Sequence, residues 1–317
     1  MEDRVQEQVK TGAKPGGGEM KIALHDHEDK KYPNLALMKL SSYHKILGDD
    51  TEWFDGSKKY DRVYSSKVFT WTKRDPALPS NTFCGGTGFG LTTTLPEVVE
   101  HCCPDYSLYG ITDKSYGFLT RGCLRKCKDC FVPEKEGPIR PHADILEFFV
   151  QGTTAILMDN NVLGHQHGIR QIEKMIKLSI KVDFNQGLDA RLIDNPMAKL
   201  LSRLKWSPSI RLACDSTEII PAIEKAVELL RWHNASPPRF FCYVLSKDFE
   251  STYERVRFLR KLYVDPFIQT LRNKEDTFVP SQRMMDLKRW CNNRRIFRSC
   301  PFEEYKKEAQ MPTGANK

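Results

Sequence analysis

The sequence predicts an α/β protein that is built from repeated strand–helix units. After residue 113, apolar segments of strand length alternate six times with helical segments. Such alternation is typical of parallel strands joined by right-handed crossovers. A smaller α/β unit with a glycine-rich loop precedes the repeats. Periodicity alone leaves open whether the repeats form an open doubly wound sheet or a complete or partial barrel.

Length and composition exclude several classes of protein. The chain has 317 residues, of which 40% are hydrophobic and 28% charged, which excludes collagen, a coiled-coil rod and wholesale disorder. Lys and Arg number 49 against 41 Asp and Glu, a net charge of +8. The apolar runs are too short for a membrane span, and the first residues lack a basic-then-apolar leader. We therefore expect a cytoplasmic protein with no membrane segment.

Changes in composition along the chain divide it into four segments. Residues 1–19 are polar and contain three successive glycines, so we expect a disordered extension or tag there. Residues 20–110 form the small α/β unit, 111–270 contain the six repeats, and 271–317 form a basic helical segment.

The elements of both α/β segments follow from apolar periodicity. In residues 20–110, strands are predicted at 21–24, 61–65 and 67–71, and a helix at 34–47. The repeats show their pattern best at 217–233, where Ile219, Ile223 and Val227 recur at helical spacing. The predicted strands of the repeats are 116–120, 154–158, 181–184, 209–213, 239–245 and 264–268. The predicted helices are 142–151, 166–179, 195–204, 217–233, 249–262 and 280–292.

Three of the ten cysteines lie within eight residues, in the loop after the first of these strands. They are Cys123, Cys127 and Cys130. Thiolates are soft ligands that suit zinc or iron–sulfur clusters. A structural zinc usually takes four ligands as two separated pairs, whereas this triplet leaves one metal position open. Two alternatives stay open, namely a structural zinc completed by a distant ligand such as His142, and three ordinary thiols.

The Cys-x3-Cys-x2-Cys loop, placed after the first strand of a strand–helix series, resembles the radical SAM superfamily over about residues 113–270. The resemblance implies a partial (βα)6 barrel of the TIM type. The aromatic residue that usually precedes the third cysteine is absent, since Asp129 stands there and Phe131 follows Cys130.

The same resemblance implies a cofactor and a chemistry. Cys123, Cys127 and Cys130 would ligate three irons of a 4Fe-4S cluster, and S-adenosylmethionine (SAM) would chelate the fourth. Reduction would split SAM into methionine and a 5′-deoxyadenosyl radical, which would abstract hydrogen from a substrate. An external one-electron reductant, such as flavodoxin or ferredoxin, is implied as a partner.

The order of the strands in the family implies which residues contact SAM. Asp159 and Asn160 follow the second strand and would bind the methionine amino group, although the common Gly-Gly-Glu is missing. The further candidates follow the third, fourth and fifth strands: Gln186, Arg191, Asp215 and Ser246. Helix caps and turns are the structural alternative for each of these residues.

Residues 20–110 resemble the cobalamin-binding Rossmann-like unit that precedes many radical SAM barrels. Gly85-Gly86 and Pro96-Glu97 stand where the relatives carry a Gly-Gly pair and a Pro-Glu. The Asp-x-His-x-x-Gly motif that supplies an axial histidine is missing, because the 25–28 segment (His-Asp-His-Glu) has another spacing and no glycine. We therefore expect no histidine-ligated cobalamin. Cobalamin binding without a histidine, or a unit that only shapes the substrate pocket, stays open.

The last part of the chain is basic. Residues 281–317 contain nine Lys and Arg against four Asp and Glu, and the stretch 288–298 combines five basic residues with Trp290 and Phe297. This combination suits a phosphate backbone and base stacking, and it also suits a solvated helix face.

The sequence thus favours a radical SAM enzyme that acts on a small molecule or nucleotide, such as a modified nucleobase or nucleoside. Methyl transfer, rearrangement and fragmentation stay open, and no catalytic residue is assigned. Nucleic acid is a further potential partner. The alternative function is a zinc-stabilised nucleic-acid-binding protein without catalysis.

Overall fold

A computed structural model describes residues 19–271 and 279–305. The predicted extension at 1–19 therefore lies, except for Glu19, outside the described residues, as do parts of the basic segment 271–317. The chain separates into two compact units, one ending at Val182 and the other beginning at Asp183. This division falls inside a single strand, β9 (Lys181–Phe184), within the predicted repeats.

The first unit begins with a parallel four-stranded sheet in the order β2-β1-β3-β4. Helix α1 (Leu35–Ile46) follows β1, and the Asn34 side chain accepts the N–H of Leu37 as its N-cap. Ile22, Leu24 and Leu37 are fully buried in the core that joins this helix to the sheet. The strands are β1 (Lys21–Asp26), β2 (Asp50–Trp53), β3 (Arg62–Ser66) and β4 (Phe83–Gly85).

A second set of strands in this unit positions the cysteine loop. β5 (Lys114–Gly117) and β8 (Thr154–Leu157) pair in parallel. β6 (Thr120–Arg121) and β7 (Arg140–Pro141) pair antiparallel, and the cysteines lie between them. The remaining helices of the first unit are α2 (Glu97–Glu100), α3 (Val132–Lys135), α4 (Ile145–Phe148) and α5 (Gln166–Lys177).

The second unit contains the parallel sheet β11-β12-β13. In β12, Cys242 and Val244 are fully buried while Tyr243 between them is half-buried, so the two faces of the sheet differ. The strands are β10 (Lys205–Trp206), β11 (Ile210–Ala213), β12 (Phe240–Ser246) and β13 (Asp265–Thr270). The helices are α6 (Asn195–Leu201), α7 (Ile220–Trp232), α8 (Phe249–Lys261), α9 (Gln282–Asn292) and α10 (Arg294–Ser299).

The parallel sheets confirm the α/β class, while closure into a partial barrel stays a prediction. The later strands and helices fall close to their predicted positions, and β9 matches its prediction residue for residue. β2 and β4 were not predicted, because both are short and half-buried and carry no clear alternation. No helix in the described residues is long and apolar enough to span a membrane.

Three predicted elements differ from the structure. The strand predicted at 67–71 is wrong, because the N–H groups of Val68 and Phe69 donate to the Glu28 carboxylate and the chain turns there. The helix predicted at 142–151 covers only α4, since the Phe148 carbonyl accepts from the Tyr106 hydroxyl. The strand predicted at 116–120 is broken into β5 and β6 by side-chain hydrogen bonds described below.

Candidate functional site

The three cysteines occupy a loop that leaves β6 and returns to β7. Cys123, at the base of the loop, is half-buried, whereas Cys127 and Cys130 are exposed. The N–H of Cys130 donates to the carbonyl of Cys127 at 3.2 Å, so the last two cysteines share a tight turn. The loop therefore presents two thiols outward and holds the third against the protein.

The base of the loop is closed by backbone contacts at Gly122. This residue has φ +77°, and a Cβ atom there would lie 2.3 Å from the Pro138 carbonyl oxygen, so only glycine fits. Its N–H donates to Glu136 Oε2 at 2.9 Å. The N–H of Cys123 donates to the Gly137 carbonyl at 3.3 Å. The two ends of the cysteine loop are thus tied together across the segment that carries the thiols.

Glu136 also connects the base of the cysteine loop to the segment that follows β8. Its Oε2 also accepts from the amide of Asn160 at 2.9 Å, and its Oε1 lies 3.3 Å from an Arg121 guanidinium nitrogen. The Arg121 guanidinium in turn lies 4.0 Å from the centroid of the Phe118 ring. The sequence analysis did not assign Glu136. Its signal in the sequence is the pair Glu136-Gly137, which stands at the opposite end of the loop from Gly122.

Asp159, a predicted SAM contact, is directed into the protein. Its carboxylate accepts the N–H of Leu119 at 3.1 Å, and both the N–H and the hydroxyl of Thr120 at 2.6 and 2.7 Å. Burial raises the pKa of Asp159 to about 6, although these hydrogen bonds lower it. Asp159 therefore holds the chain between β5 and β6, directly before the cysteines. Asp159 thus fixes the backbone that leads into the cysteine loop. Contact between Asp159 and SAM stays a prediction.

Cys123 is the thiol most directly supported by the protein. Its sulfur accepts the N–H of Arg125 at 3.3 Å and the amide of Asn161 at 3.7 Å. N–H donors of this kind stabilise a thiolate and tune an iron–sulfur cluster. Asn161 is a further site residue that sequence reasoning did not assign.

The donor chemistry of the loop suits an iron–sulfur cluster as well as zinc, because both take thiolate ligands. Within 19–271 and 279–305, no group of three His, Cys, Asp or Glu side chains is close enough to hold one metal ion. The fit of a cluster to this loop therefore rests on the three thiols and on the N–H donors to the Cys123 sulfur, and the identity of the metal stays a prediction.

His142, suggested above as a fourth zinc ligand, lies beside a carboxylate. Its Nε2 is 3.4 Å from Glu100 Oε1 but is buried without a hydrogen-bond partner among the described residues. Burial raises the pKa of Glu100, but the neighbouring His142 and the charges of Lys39 and Arg121 together lower it to about 2. Zinc ligation by His142 stays a prediction.

The remaining predicted SAM contacts lie in the second unit. Gln186 is exposed, and Arg191 pairs with Asp189 at 2.7 Å. Asp215 accepts the N–H of Leu245 at 3.3 Å, which joins the ends of β11 and β12.

Ser246 differs from the other three residues in this unit. It is fully buried, and its hydroxyl donates to the Met284 sulfur at 3.0 Å, so it belongs to the packing between β12 and α9. Gln186, Arg191 and Asp215 border the ends of strands and stay predicted contacts. For Ser246 that prediction finds no geometric support.

The basic segment contains a different arrangement from the one its composition suggested. Trp290 and Phe297 are 1% and 3% exposed, so their rings pack inside the protein and offer no face to a base. Arg294 and Arg298 both pair with Asp265, at 2.9 and 2.7 Å. The two arginines therefore support the start of β13 instead of forming an open phosphate-binding face.

The glycines and histidines of residues 20–110 also have structural partners. Gly86 has φ +93°, and a Cβ there would lie 2.4 Å from the Lys67 carbonyl, so chain packing alone requires this glycine. His25 contacts Ser65 through Nδ1 and Asp75 through Nε2, at 3.1 and 3.2 Å.

His27 completes this histidine pair. Its Nδ1 contacts the Lys73 carbonyl at 3.2 Å, and its Nε2 is shielded from solvent. Burial and the neighbouring His25 lower the pKa of His27. The Nε2 of His27 has no hydrogen-bond partner among the described residues, and the absence of a histidine-ligated cobalamin stays a prediction.

A comparison of the chain with models of known protein families finds no match, and a comparison with curated proteins also finds none.

Proposed function

We propose that this protein is a radical SAM enzyme. The observation that carries the proposal is the Cys-x3-Cys-x2-Cys loop at the end of the first strand of a strand–helix series. The closure of that loop by Gly122 and Glu136, and the N–H donors to the Cys123 sulfur, support a role in holding a cluster. The partial (βα)6 barrel is part of the same proposal, supported by parallel strands that alternate with helices after residue 113.

In this proposal, Cys123, Cys127 and Cys130 hold a 4Fe-4S cluster. When bound, the cluster would supply an electron to the sulfonium of SAM, giving methionine and a 5′-deoxyadenosyl radical that abstracts hydrogen from the substrate. Holding an anionic cluster requires nearby positive charge and N–H donors. The loop offers both, through its basic residues and through the backbone of Arg125.

The residues around the loop divide into positioning and contacting roles. Asp159 and Glu136 position the loop, because their carboxylates are occupied by its backbone N–H groups. Asn160 donates its amide nitrogen to Glu136, so its amide oxygen is the atom that would accept a hydrogen bond from the methionine ammonium group. Among the predicted contacts of the first unit, Asn160 is therefore the better candidate.

The first test is SAM cleavage by the anaerobically reconstituted and reduced protein. We expect bound iron and sulfide, and release of 5′-deoxyadenosine. Cys127→Ala should retain less iron and release none, whereas Cys300→Ala, a thiol outside the loop, should behave like the wild type. Equal product from Cys127→Ala and the wild type would contradict the proposal.

Metal analysis separates this proposal from its alternative. A colourless protein that holds zinc and forms no 5′-deoxyadenosine would favour the zinc-stabilised nucleic-acid-binding protein. The substrate proposed above, a small molecule or nucleotide, and the external reductant stay part of the radical SAM proposal, as does a cytoplasmic location.

A further inference from the structure

The second unit contains a cavity on the sheet β11-β12-β13 that none of the functions above uses. On one face of β12, Cys242 and Val244 are fully buried, and Ser246 on that face contacts α9. The other face carries Phe241 and Tyr243 and borders a cavity of about 430 Å³. That volume lies within the range of small-molecule sites.

Aromatic rings form the floor of this cavity. Tyr243 lies edge-on to Phe241 and Phe267, with ring centroids 5.0 and 6.3 Å apart. The Tyr243 hydroxyl donates to the Asn185 carbonyl and accepts from Arg211, which fixes the ring. Tyr243 and Phe267 are half-buried, so part of each ring faces the cavity. Rings that are fixed and partly exposed suit stacking against a planar ligand.

Three arginines and one carboxylate lie on the walls of the same cavity, and the carboxylate, Asp265, pairs with Arg294. Arg211 is held by Asp183 through two hydrogen bonds of 2.6 and 2.7 Å, so its charge is compensated. Arg239 lies 5.1 Å from the Phe241 ring centroid, and its side chain makes no ion pair or hydrogen bond within the part of the chain that the structure describes. Its half-buried guanidinium is therefore an uncompensated charge at the cavity.

A second cavity adjoins the first and is more strongly basic. It is a shallow depression that is largely open to solvent, with a volume of about 680 Å³, and it shares Asn292 and Arg294 with the aromatic cavity. Its lining also includes Arg289 and Arg295. Both amide atoms of Asn292 bond to the backbone of Ile268, at 2.7 and 3.1 Å, so the shared wall is tied to β13.

We propose that these two cavities together bind a nucleoside phosphate. The base would stack on Phe267 with the perpendicular Tyr243 ring against its edge, Arg239 would donate to the first phosphate, and the outer phosphates would extend towards Arg295. Guanidinium groups suit phosphate oxygens because their donors match two oxygens at once. The inference does not rest on the radical SAM proposal, since binding requires neither a cluster nor SAM.

The test is equilibrium dialysis of the full-length protein with ATP, adenosine and tripolyphosphate, without iron or SAM. Because both cavities contribute, ATP should bind at least about tenfold more tightly than either adenosine or tripolyphosphate. Arg239→Gln should weaken ATP binding about tenfold or more. Arg203→Gln removes the same charge from an exposed position outside both cavities and should leave binding unchanged.

A second variant separates stacking from charge. Phe267→Leu should weaken ATP binding and leave tripolyphosphate binding unchanged, and it serves as the test if Arg239→Gln does not fold. Tripolyphosphate binding as tightly as ATP would overturn the nucleoside assignment. No ATP binding at millimolar concentration, or equal losses in Arg239→Gln and Arg203→Gln, would overturn the site itself.

Discussion

Replacing the buried carboxylate of Asp159 should change how the stability of the protein depends on pH. In the folded protein, burial raises the pKa of Asp159 from its ordinary 3.8 to about 6. Each pKa unit corresponds to about 1.4 kcal/mol, so the ionised carboxylate costs about 3 kcal/mol of unfolding free energy above pH 6. Because the pKa of Asp159 is higher in the folded than in the unfolded protein, this group makes the fold more stable at low pH than at neutral pH. That difference in stability is lost as the pH rises through 6.

The perturbation is Asp159→Asn, which keeps an oxygen acceptor for Leu119 and Thr120 but cannot ionise. Between pH 4.5 and 7.5, the wild type should lose about 2 kcal/mol relative to this variant. Asp159→Ala instead leaves two buried N–H donors without an acceptor, and at pH 4.5 it should lose about 2–6 kcal/mol. Asp113→Asn, at an exposed carboxylate just before β5, is the matched control.

The assay is urea unfolding followed by circular dichroism at both pH values for the wild type and the three variants. The quantity compared is the change in unfolding free energy between pH 4.5 and 7.5. Parallel profiles for the wild type and Asp159→Asn would refute the reasoning, because the carboxylate would then not be held in a medium that penalises its charge. An unchanged stability of Asp159→Ala at pH 4.5 would show that Leu119 and Thr120 do not depend on it.

Three further substitutions test the supports of each unit. Glu136→Ala removes the acceptor at the base of the cysteine loop and should lower the unfolding free energy by about 2 kcal/mol and speed proteolysis within the loop, unlike the exposed Glu134→Ala. Gly122→Ala should lower the unfolding free energy by at least about 2 kcal/mol, seen as a lower urea midpoint, because its φ is positive and its Cβ would meet Pro138; an unchanged midpoint would contradict the geometry. Arg255→Met should cost about 3 kcal/mol by calorimetry, since the buried guanidinium donates to the carbonyl of Cys214, just after β11, and to that of Leu245 in β12; a cost below 1 kcal/mol would contradict that role.

Local patterns were sufficient for the regular elements of the chain. Helices such as α7 and α8 lie close to their predictions, because an amphipathic helix shows its buried face in the order of its residues. The strand predicted at 67–71 is wrong because the carboxylate of Glu28, which is distant in sequence, accepts a hydrogen bond from the backbone of this segment. Alternation of apolar residues carries no information about such a partner 40 positions away.

The basic segment shows the same limit for a candidate site. Arginines and aromatic residues at 288–298 resemble a nucleic-acid surface in composition. Trp290 and Phe297 are nevertheless buried, and Asp265 compensates Arg294 and Arg298. The uncompensated Arg239 lies elsewhere in sequence, before β12, where nothing in its immediate neighbours marks it.

The sequence by itself determined the α/β class and the position and spacing of the three cysteines, because both are properties of short stretches of chain. Tertiary structure decided what supports those cysteines. Asp159 and Glu136 reach the loop from 36 and 13 residues after Cys123, and Asn161 reaches the Cys123 sulfur itself. Such contacts depend on which backbone N–H groups the fold leaves without partners, and that is settled only when the loop closes between β6 and β7.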